Sequence, residues 1–303
     1  MTIRVSLRRV TSDGTASDLV GDLVQADDEQ LVLLPAGRGP VVVPRHQVRA
    51  MRTVPPRVVR PSSGVDDLQR LMAEGWPGTE QVRLGGWTLH AGQGWSRRAN
   101  SAHPTGDPER SLDEALAAVQ QFYAERGQPA LLQLAAHQST ATPLDAELER
   151  RGWRAEAPSI AMVLDLQAID PAATGEGGAE LVWAEVPDER WLGLQPSDAP
   201  GRLPVLTSAP AHYATLLVYG EPAGCGRLAG TRDWAGLSCL FVEPSLRGRG
   251  HGRALAVAMT ARARVLGCRY GYLQVEQGND AARRLYEELG WREHHRYLYR
   301  RSR

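Results

Sequence analysis

Arg247, Gly248, Arg249, Gly250, His251, Gly252 and Arg253 form a glycine-rich, cationic turn between a short apolar strand and an alanine-rich helix. Alternate glycines let the main chain approach a ligand with no Cβ in the way. A helix beginning at such a turn presents free N–H groups and the positive end of its dipole, which is what a pyrophosphate requires. Arg247, Arg249 and Arg253 add charge-assisted hydrogen bonds to that offer. The spacing is Gly-x-Gly-x-Gly and not Gly-x-Gly-x-x-Gly, which counts against a dinucleotide fingerprint. Taken alone, the turn is equally compatible with an ordinary strand-to-helix connection.

A second constellation follows downstream. The strand Tyr272-Leu273-Gln274-Val275 leads through Gln277-Gly278-Asn279 into a helix carrying Ala282, Leu285, Tyr286 and Leu289, closed by Gly290-Trp291. Asn279 and Tyr286 stand seven positions apart, close to two helical turns, so the spacing predicts one shared face. Only Asn100 and Asn279 are asparagines, which makes Asn279 a deliberate polar choice.

The two constellations together resemble the GNAT superfamily of acetyl-CoA-dependent N-acetyltransferases. Arg247, Gly250 and Gly252 match its Arg-x-x-Gly-x-Gly element, and Asn279, Ala282, Tyr286, Gly290 and Trp291 match its second element. The resemblance implies acetyl-CoA as co-substrate, held by residues 247–253, by Asn279 and by the main chain of Leu240, Phe241 and Val242. That strand is expected to diverge from its neighbour and leave an N–H free to polarise the thioester. Tyr286 is the implied catalytic acid for the departing thiolate, although Leu285 and Leu289 on its helix also suit a packing role. The Glu that many relatives carry before the loop is replaced by Gly236. Glu243, Glu276, His251 or a water relay remain open as the base.

Composition narrows the alternatives. The chain has 303 residues and balances 35 basic side chains, all arginine, against 35 acidic ones. The absence of lysine removes a P-loop lysine, a Schiff-base lysine and a lysine nucleophile. Zero net charge argues against nucleic acid and anionic membrane as partners. Cys225, Cys239 and Cys268 suggest neither a disulfide framework nor a metal site. His294-His295 lacks a carboxylate or cysteine at ligand spacing, so no metal is expected. With no apolar signal core at the start and no membrane-length apolar run, a soluble cytoplasmic protein is expected. Arg296, Arg300, Arg301 and Arg303 read as a solvated basic terminal strand.

Patterning divides the chain into three parts of mixed α/β (α+β) class. Residues 1–58 carry short β-prone runs separated by polar turns, which fits an SH3-like β-barrel. Residues 65–168 read as a degenerate GNAT-like domain and residues 179–303 as the catalytic GNAT domain, giving two mixed-sheet domains in tandem. Gly127 before Leu131–Leu134 echoes Gly267 before Tyr272–Val275, and Gly152-Trp153 echoes Gly290-Trp291. Counted back from the shared Gly-Trp, Leu148 takes the place of Tyr286. The helix from Ser111 to Arg126 lacks a preceding Arg-x-x-Gly-x-Gly, so the first copy keeps the fold and loses the cofactor loop. Pro55-Pro56 and Pro171–Gly178 read as joints.

This layout resembles bacterial tandem GNAT proteins described as N-acetylglutamate synthase-like. The landmarks are Leu84–Leu89, Arg97–Ser101, Phe122-Tyr123 and the arginine-glycine loop. The resemblance implies a small amino-acid-like amine acceptor, glutamate among the options, with Asn100 and the neighbouring Arg97 and Arg98 as substrate contacts. An internally bonded, structural Asn100 is the competing reading. A non-catalytic acyl-CoA sensor and a protein or peptide N-acetyltransferase are the rival functions. An oligomer is compatible with the sequence.

Overall fold

The computed structural model describes residues 3–12, 14–35, 40–54, 58–136, 142–168, 179–195, 197 and 199–303. The turn expected at Gly37-Arg38-Gly39 and the joints at Pro55-Pro56 and Pro171–Gly178 lie outside the described residues. In chain order the strands and helices are β1 (Ile3–Val10), β2 (Ala16–Ala26), β3 (Gln30–Pro35), β4 (Val41–Pro44), β5 (Val48–Thr53), α1 (Val65–Glu74), β6 (Glu80–Leu84), β7 (Trp87–Ala91), β8 (Ala102–His103) and α2 (Leu112–Ala124). They continue with β9 (Leu131–Ala136), α3 (Pro143–Arg150), β10 (Arg154–Asp165), β11 (Ala179–Ala184), α4 (Glu189–Leu194), α5 (Arg202–Leu206), β12 (Ala211–Val218), β13 (Glu221–Thr231) and β14 (Trp234–Val242). The last are α6 (His251–Val265), β15 (Tyr270–Glu276), α7 (Asp280–Glu288) and β16 (Arg292–Arg301).

Two compact units emerge from these elements. The first comprises residues 1–58, 82–89 and 104–119. Its β1 to β5 form an antiparallel sheet in the order β4-β3-β2-β1-β5. Alternation puts Val5, Leu7, Leu31, Leu33 and Val43 on one face, where they build a small core. Elsewhere in this unit Ser111 and Glu114 form a reciprocal capping box at the start of α2.

The second unit, residues 59–81, 90–103 and 120–303, carries the loop and Tyr286. Its strands run in the order β11-β12-β13-β14-β15-β10-β16-β9-β8. β10 shows how one strand serves two faces. Ile160, Met162 and Leu164 pack with α6 residues Leu255, Ala256, Met259 and Ala263, whereas Ala161 and Val163 pack with Leu68, Leu71 and Met72 of α1. Helices therefore cover both faces. On α6 Leu255 and Met259 are fully buried, whereas Ala254, Ala258 and Ala261 are half-buried and Val265 is 76% exposed, because turning the helix towards the larger side chains removes more apolar surface from water.

The centre of the sheet is built by exchange between two similar segments. The helix closing on Gly152-Trp153 and the helix closing on Gly290-Trp291 share their caps in detail. Thr142 accepts from the Asp145 N–H and Asn279 from the Ala282 N–H. At the other end Trp153 donates to the Leu148 carbonyl and Trp291 to the Tyr286 carbonyl, with Gly152 and Gly290 both left-handed at φ 80° and 85°. The strands that follow, β10 and β16, pair antiparallel with each other. Arg154 faces Arg301 and Val163 faces Arg292, so each strand's position after the tryptophan meets its counterpart symmetrically. β10 then pairs with β15, and β16 with β9. Each segment's last strand thus completes the other segment's sheet.

That placement corrects the reading of the C-terminal arginines as solvated. β16 is interior, and Arg300 is 6% exposed, bound to Asp145 at 2.7 Å and to the Trp153 carbonyl. Arg296 and Arg301 pair with Glu293 and Glu156. Removing Asp145 strands a buried guanidinium, softened only by exposed Glu149 at 3.5 Å. Asp145→Ala is therefore expected to lose about 3 kcal/mol of stability, and pairing it with Arg300→Leu should return most of that in thermal unfolding. Behind α1, Gln133, Gln69, His295 and His294 form a buried hydrogen-bonded chain ending on the Ser63 carbonyl. His294-His295 thus belongs to an internal polar network.

Candidate active site

β14 and β15 run parallel and pair from Trp234↔Tyr270 to Leu237↔Leu273, and there the pairing stops. Beyond it β13 is the only strand that Ser238 to Val242 pair with. A bulge accompanies the parting. Cys239 has φ 56°, and the register with β13 shifts by one residue between Cys225 and Arg227. Its effect on side-chain parity is visible in the packing. Ala235 and Leu237 face the α6 core, and after the bulge it is Leu240 that does so, while Cys239 and Phe241 turn to the opposite cluster around Trp191 and Tyr213. The main-chain groups of residues 238–242 on the β15 side have no strand to pair with, leaving a wedge-shaped gap at the sheet's centre.

The loop sits immediately after this strand. A short 3₁₀ turn, Pro244–Leu246, precedes Gly248 and Gly250, both left-handed at φ 74° and 84°. The Ala254 N–H is the first to close a bond onto the Gly250 carbonyl, so His251, Gly252 and Arg253 have no intrahelical acceptor. No acceptor among the described residues meets the N–H of Gly248, Arg249 or Gly250. A Cβ built on Gly248 or Gly250 would meet nothing within 4 Å. These residues form an open cradle of unpaired N–H groups at a helix N-terminus, which suits a diphosphate.

The arginines are not deployed alike. Arg247 folds back, its Nε donating to the Val242 carbonyl at 3.0 Å and its guanidinium lying over Phe241. Arg253 forms an exposed pair with Glu288 at 3.1 Å. Arg249 is exposed and makes no bond to the described residues. Asn279 stands at the N-cap of α7 and not inside the helix. It caps α7, its Oδ1 accepting from Ala282 at 3.1 Å, because the unsatisfied N–H groups of the first turn claim its oxygen. Tyr286 is 7% exposed, edge-on to Trp291 at 6.3 Å and packed in the cluster that Leu240 joins. Burial pushes its hydroxyl up to about 12, and the hydroxyl has no hydrogen-bond partner among the described residues.

On the sheet face away from α6, a small, partly open cavity lies where β14 and β15 part. Its lining includes Trp76, Arg98, Arg227, Ser238, Tyr272 and Gln274. Gly236, where the family resemblance implied a glutamate, leaves its space to Tyr272, whose hydroxyl would lie 2.3 Å from a Gly236 Cβ. Burial holds that hydroxyl at about 12, so it is no base near neutrality. Neither Glu243, Glu276 nor His251 lines the cavity. Glu276 is instead paired with Arg97.

Asn100 is not available to a substrate. Its Oδ1 accepts from Gly92 and Gly94 and its Nδ2 donates to Trp95 and Ser96, all within 3.0 Å, which fills its hydrogen-bonding capacity. It folds the loop that carries Arg98 to the cavity. Arg227 was missed by sequence reasoning, yet a signal existed. It stands alone among small and apolar residues in Gly224–Gly230, and a strand of that kind buries its cation.

Residues 62–300 match a family model described as "Probable histone acetyltransferase Rv0428c C-terminal". The Mycobacterium tuberculosis protein named Probable histone acetyltransferase Rv0428c is 31% identical over 293 residues, covering 93% of this chain and 88% of that one. The Bacillus subtilis protein named Uncharacterized N-acetyltransferase YobR is 26% identical over 243 residues, covering 75% of this chain and 96% of its own. Among solved structures, a GCN5-related N-acetyltransferase from Kribbella flavida superposes with a TM-score of 0.61 at 16% identity, over 80% of this chain and 96% of the other. The chain belongs to the GNAT family of N-acetyltransferases and is an enzyme of the acyltransferase class. Its fold is the mixed α/β arrangement of that family. Among the described residues no helix is long and apolar enough to cross a membrane, and no group of three or more potential ligands is placed to hold a metal.

Proposed function

We propose that the enzyme transfers the acetyl group of acetyl-CoA to a primary amine on a small amino-acid-like metabolite. The observation that carries this is the continuity of two features: unpaired N–H groups from Gly248 to Arg253, and the parted strands they directly follow. When bound, acetyl-CoA supplies an activated acyl carbon. The cradle holds the diphosphate, and N–H groups of residues 238–242 facing the gap polarise the thioester carbonyl. Leu240, Phe241 and Val242 line the arm leading there. Tyr286, kept protonated by burial, donates its proton to the thiolate. Asn279 contributes through the amide nitrogen left over from capping. With no carboxylate in the cavity, the amine's proton leaves through water.

The chain-level proposals are a 1–58 SH3-like barrel, a degenerate GNAT copy at 65–168 and a catalytic copy at 179–303. The order β4-β3-β2-β1-β5 with a 3₁₀ turn at Arg45–Gln47 between β4 and β5 supports the first. The matched caps and the symmetric β10–β16 register support the tandem reading. We place the enzyme in the cytoplasm, acting on a small molecule without nucleic acid or membrane, with self-association left compatible. A second reading, acetylation of a protein amine, is favoured by the name of the mycobacterial relative. Calorimetry with coenzyme A, followed by thiol release from acetyl-CoA across amine and peptide panels, tests both. Micromolar binding with turnover of small amines is expected. Binding without turnover of any amine would leave an acyl-CoA sensor, and the absence of binding would overturn the proposal.

A further inference from the structure

Resting on that reading, we infer that the acceptor carries a carboxylate beside its amine, and that Arg98 and Arg227 recognise it across the gap from the cradle. Three observations converge. The cavity at the strand parting contains two guanidiniums and no carboxylate. Both lie over the Trp76 indole, Arg227 at 4.7 Å and Arg98 at 5.3 Å from its centre. Arg227 is 1% exposed, and its hydrogen bonds go to neutral groups, the carbonyls of Leu206, Gly75 and Ala209 and the Tyr213 side chain. Its charge is solvated by the protein and not neutralised. Arg98 makes no hydrogen bond or ion pair with the described residues. Glu74, whose charge reaches Tyr272 in the cavity wall, is committed to Arg232 at 2.5 Å.

The third observation has the opposite polarity. Gln274 Oε1, on the β15 wall, is buried and accepts from no donor among the described residues, while its Nε2 reaches only the Met72 sulfur at 3.9 Å. Two guanidiniums lacking an anion and a glutamine whose Oε1 lacks a donor line the same cavity. Their complement is a molecule with a carboxylate and an N–H group a few bonds apart, as in an α-amino acid. Buried cations are retained when a partner completes them, and a ligand carboxylate does so with charge-assisted hydrogen bonds. The carboxylate could instead belong to the donor's acyl chain, and the experiment separates the two sources.

Thiol release is measured with glycine, L-alanine and L-glutamate against their α-amides, using acetyl-CoA and then succinyl-CoA. The wild type is expected to prefer each acid over its amide by about tenfold to a hundredfold in kcat/KM, the range of a charge-assisted pair. Arg98→Met should narrow that ratio to within about threefold of unity through KM, and Arg98→Lys should keep part of it. The Kd for coenzyme A, read by calorimetry, serves as the folding control, since Arg227 variants risk unfolding. Equal use of acids and amides by the wild type overturns the inference while leaving acetyl transfer standing. A preference for succinyl-CoA that Arg98→Met abolishes overturns the acceptor assignment in favour of the acyl chain. If coenzyme A binds but no amine is turned over, the acids and amides are titrated into the complex. Heat from the acids alone, lost in Arg98→Met, supports the inference, and none from the acids overturns it. Failure to bind coenzyme A at all sinks the parent reading instead. The same titration into the free protein then decides the carboxylate site by the same criterion.

Discussion

Gly250→Val is expected to weaken coenzyme A binding by about a hundredfold or more while the protein stays folded. Gly250 is the residue before α6 and sits at φ 84°, a conformation that valine resists at a cost of roughly 1–2 kcal/mol. Relief of that strain would turn the Gly250 and His251 N–H groups away from their common direction, which removes the anion cradle. The new side chain would also occupy the open space in which a Cβ now meets nothing. Strain alone can be separated from ligand loss at the other end of the same helix. Gly267 has the same φ of 84° and an equally open Cβ direction, but it closes α6 and faces no cradle. Gly267→Val should lower the melting temperature about as much and leave coenzyme A affinity within threefold. Calorimetry and thermal unfolding on both variants provide the check. Equal loss of affinity in both would mean that the loop is not where the diphosphate binds.

Local chemistry was legible in the sequence, and burial was not. The loop and the Gly-Trp closures depend on glycine positions and on residues within a few places of one another, so their order along the chain suffices, whereas the parting strand was expected only through the family resemblance. The echo between residues 127–153 and 267–291 was visible for the same reason. What it could not convey is that the two final strands change places, because β10 and β16 carry similar alternation and either would pair with β15 or β9 on pattern alone. The arginine-rich end of β16 reads as solvent-facing by composition. Only the Asp145 carboxylate, 155 residues away in the chain, makes Arg300 a buried cation. Asn279 shows a subtler failure. Seven-residue spacing argues for a shared helix face only when both residues lie inside the helix, and the first of the pair is its cap. The cavity beside the parted strands was legible least of all. Trp76, Arg98, Arg227 and Gln274 come from four separate segments, two on strands and two outside them, and only the fold brings them together.

Tyr286→Phe is the second large effect. The hydroxyl is pushed up to about 12 by burial, so it is protonated throughout the neutral range and able to give a proton to a thiolate formed beside it. Without it the thiolate must leave unprotonated or wait for water, and kcat is expected to fall about a hundredfold. Coenzyme A affinity should hold within threefold, because the diphosphate cradle and the strand main chain are untouched. Stability supplies the discriminating control. The phenol makes no hydrogen bond to the described residues, and phenylalanine keeps the ring edge against Trp291, so the melting temperature should stay level or rise slightly. The alkaline limb carries the same signature. A tyrosine whose folded value exceeds its unfolded value of about 10 contributes stability below that pH and loses it as pH climbs towards 12. Wild type should therefore lose stability in that window, and the phenylalanine variant should lose less. A variant with unchanged kcat and the same alkaline stability gain would make Tyr286 a packing aromatic. The thiolate's proton would then come from solvent through the gap between β14 and β15.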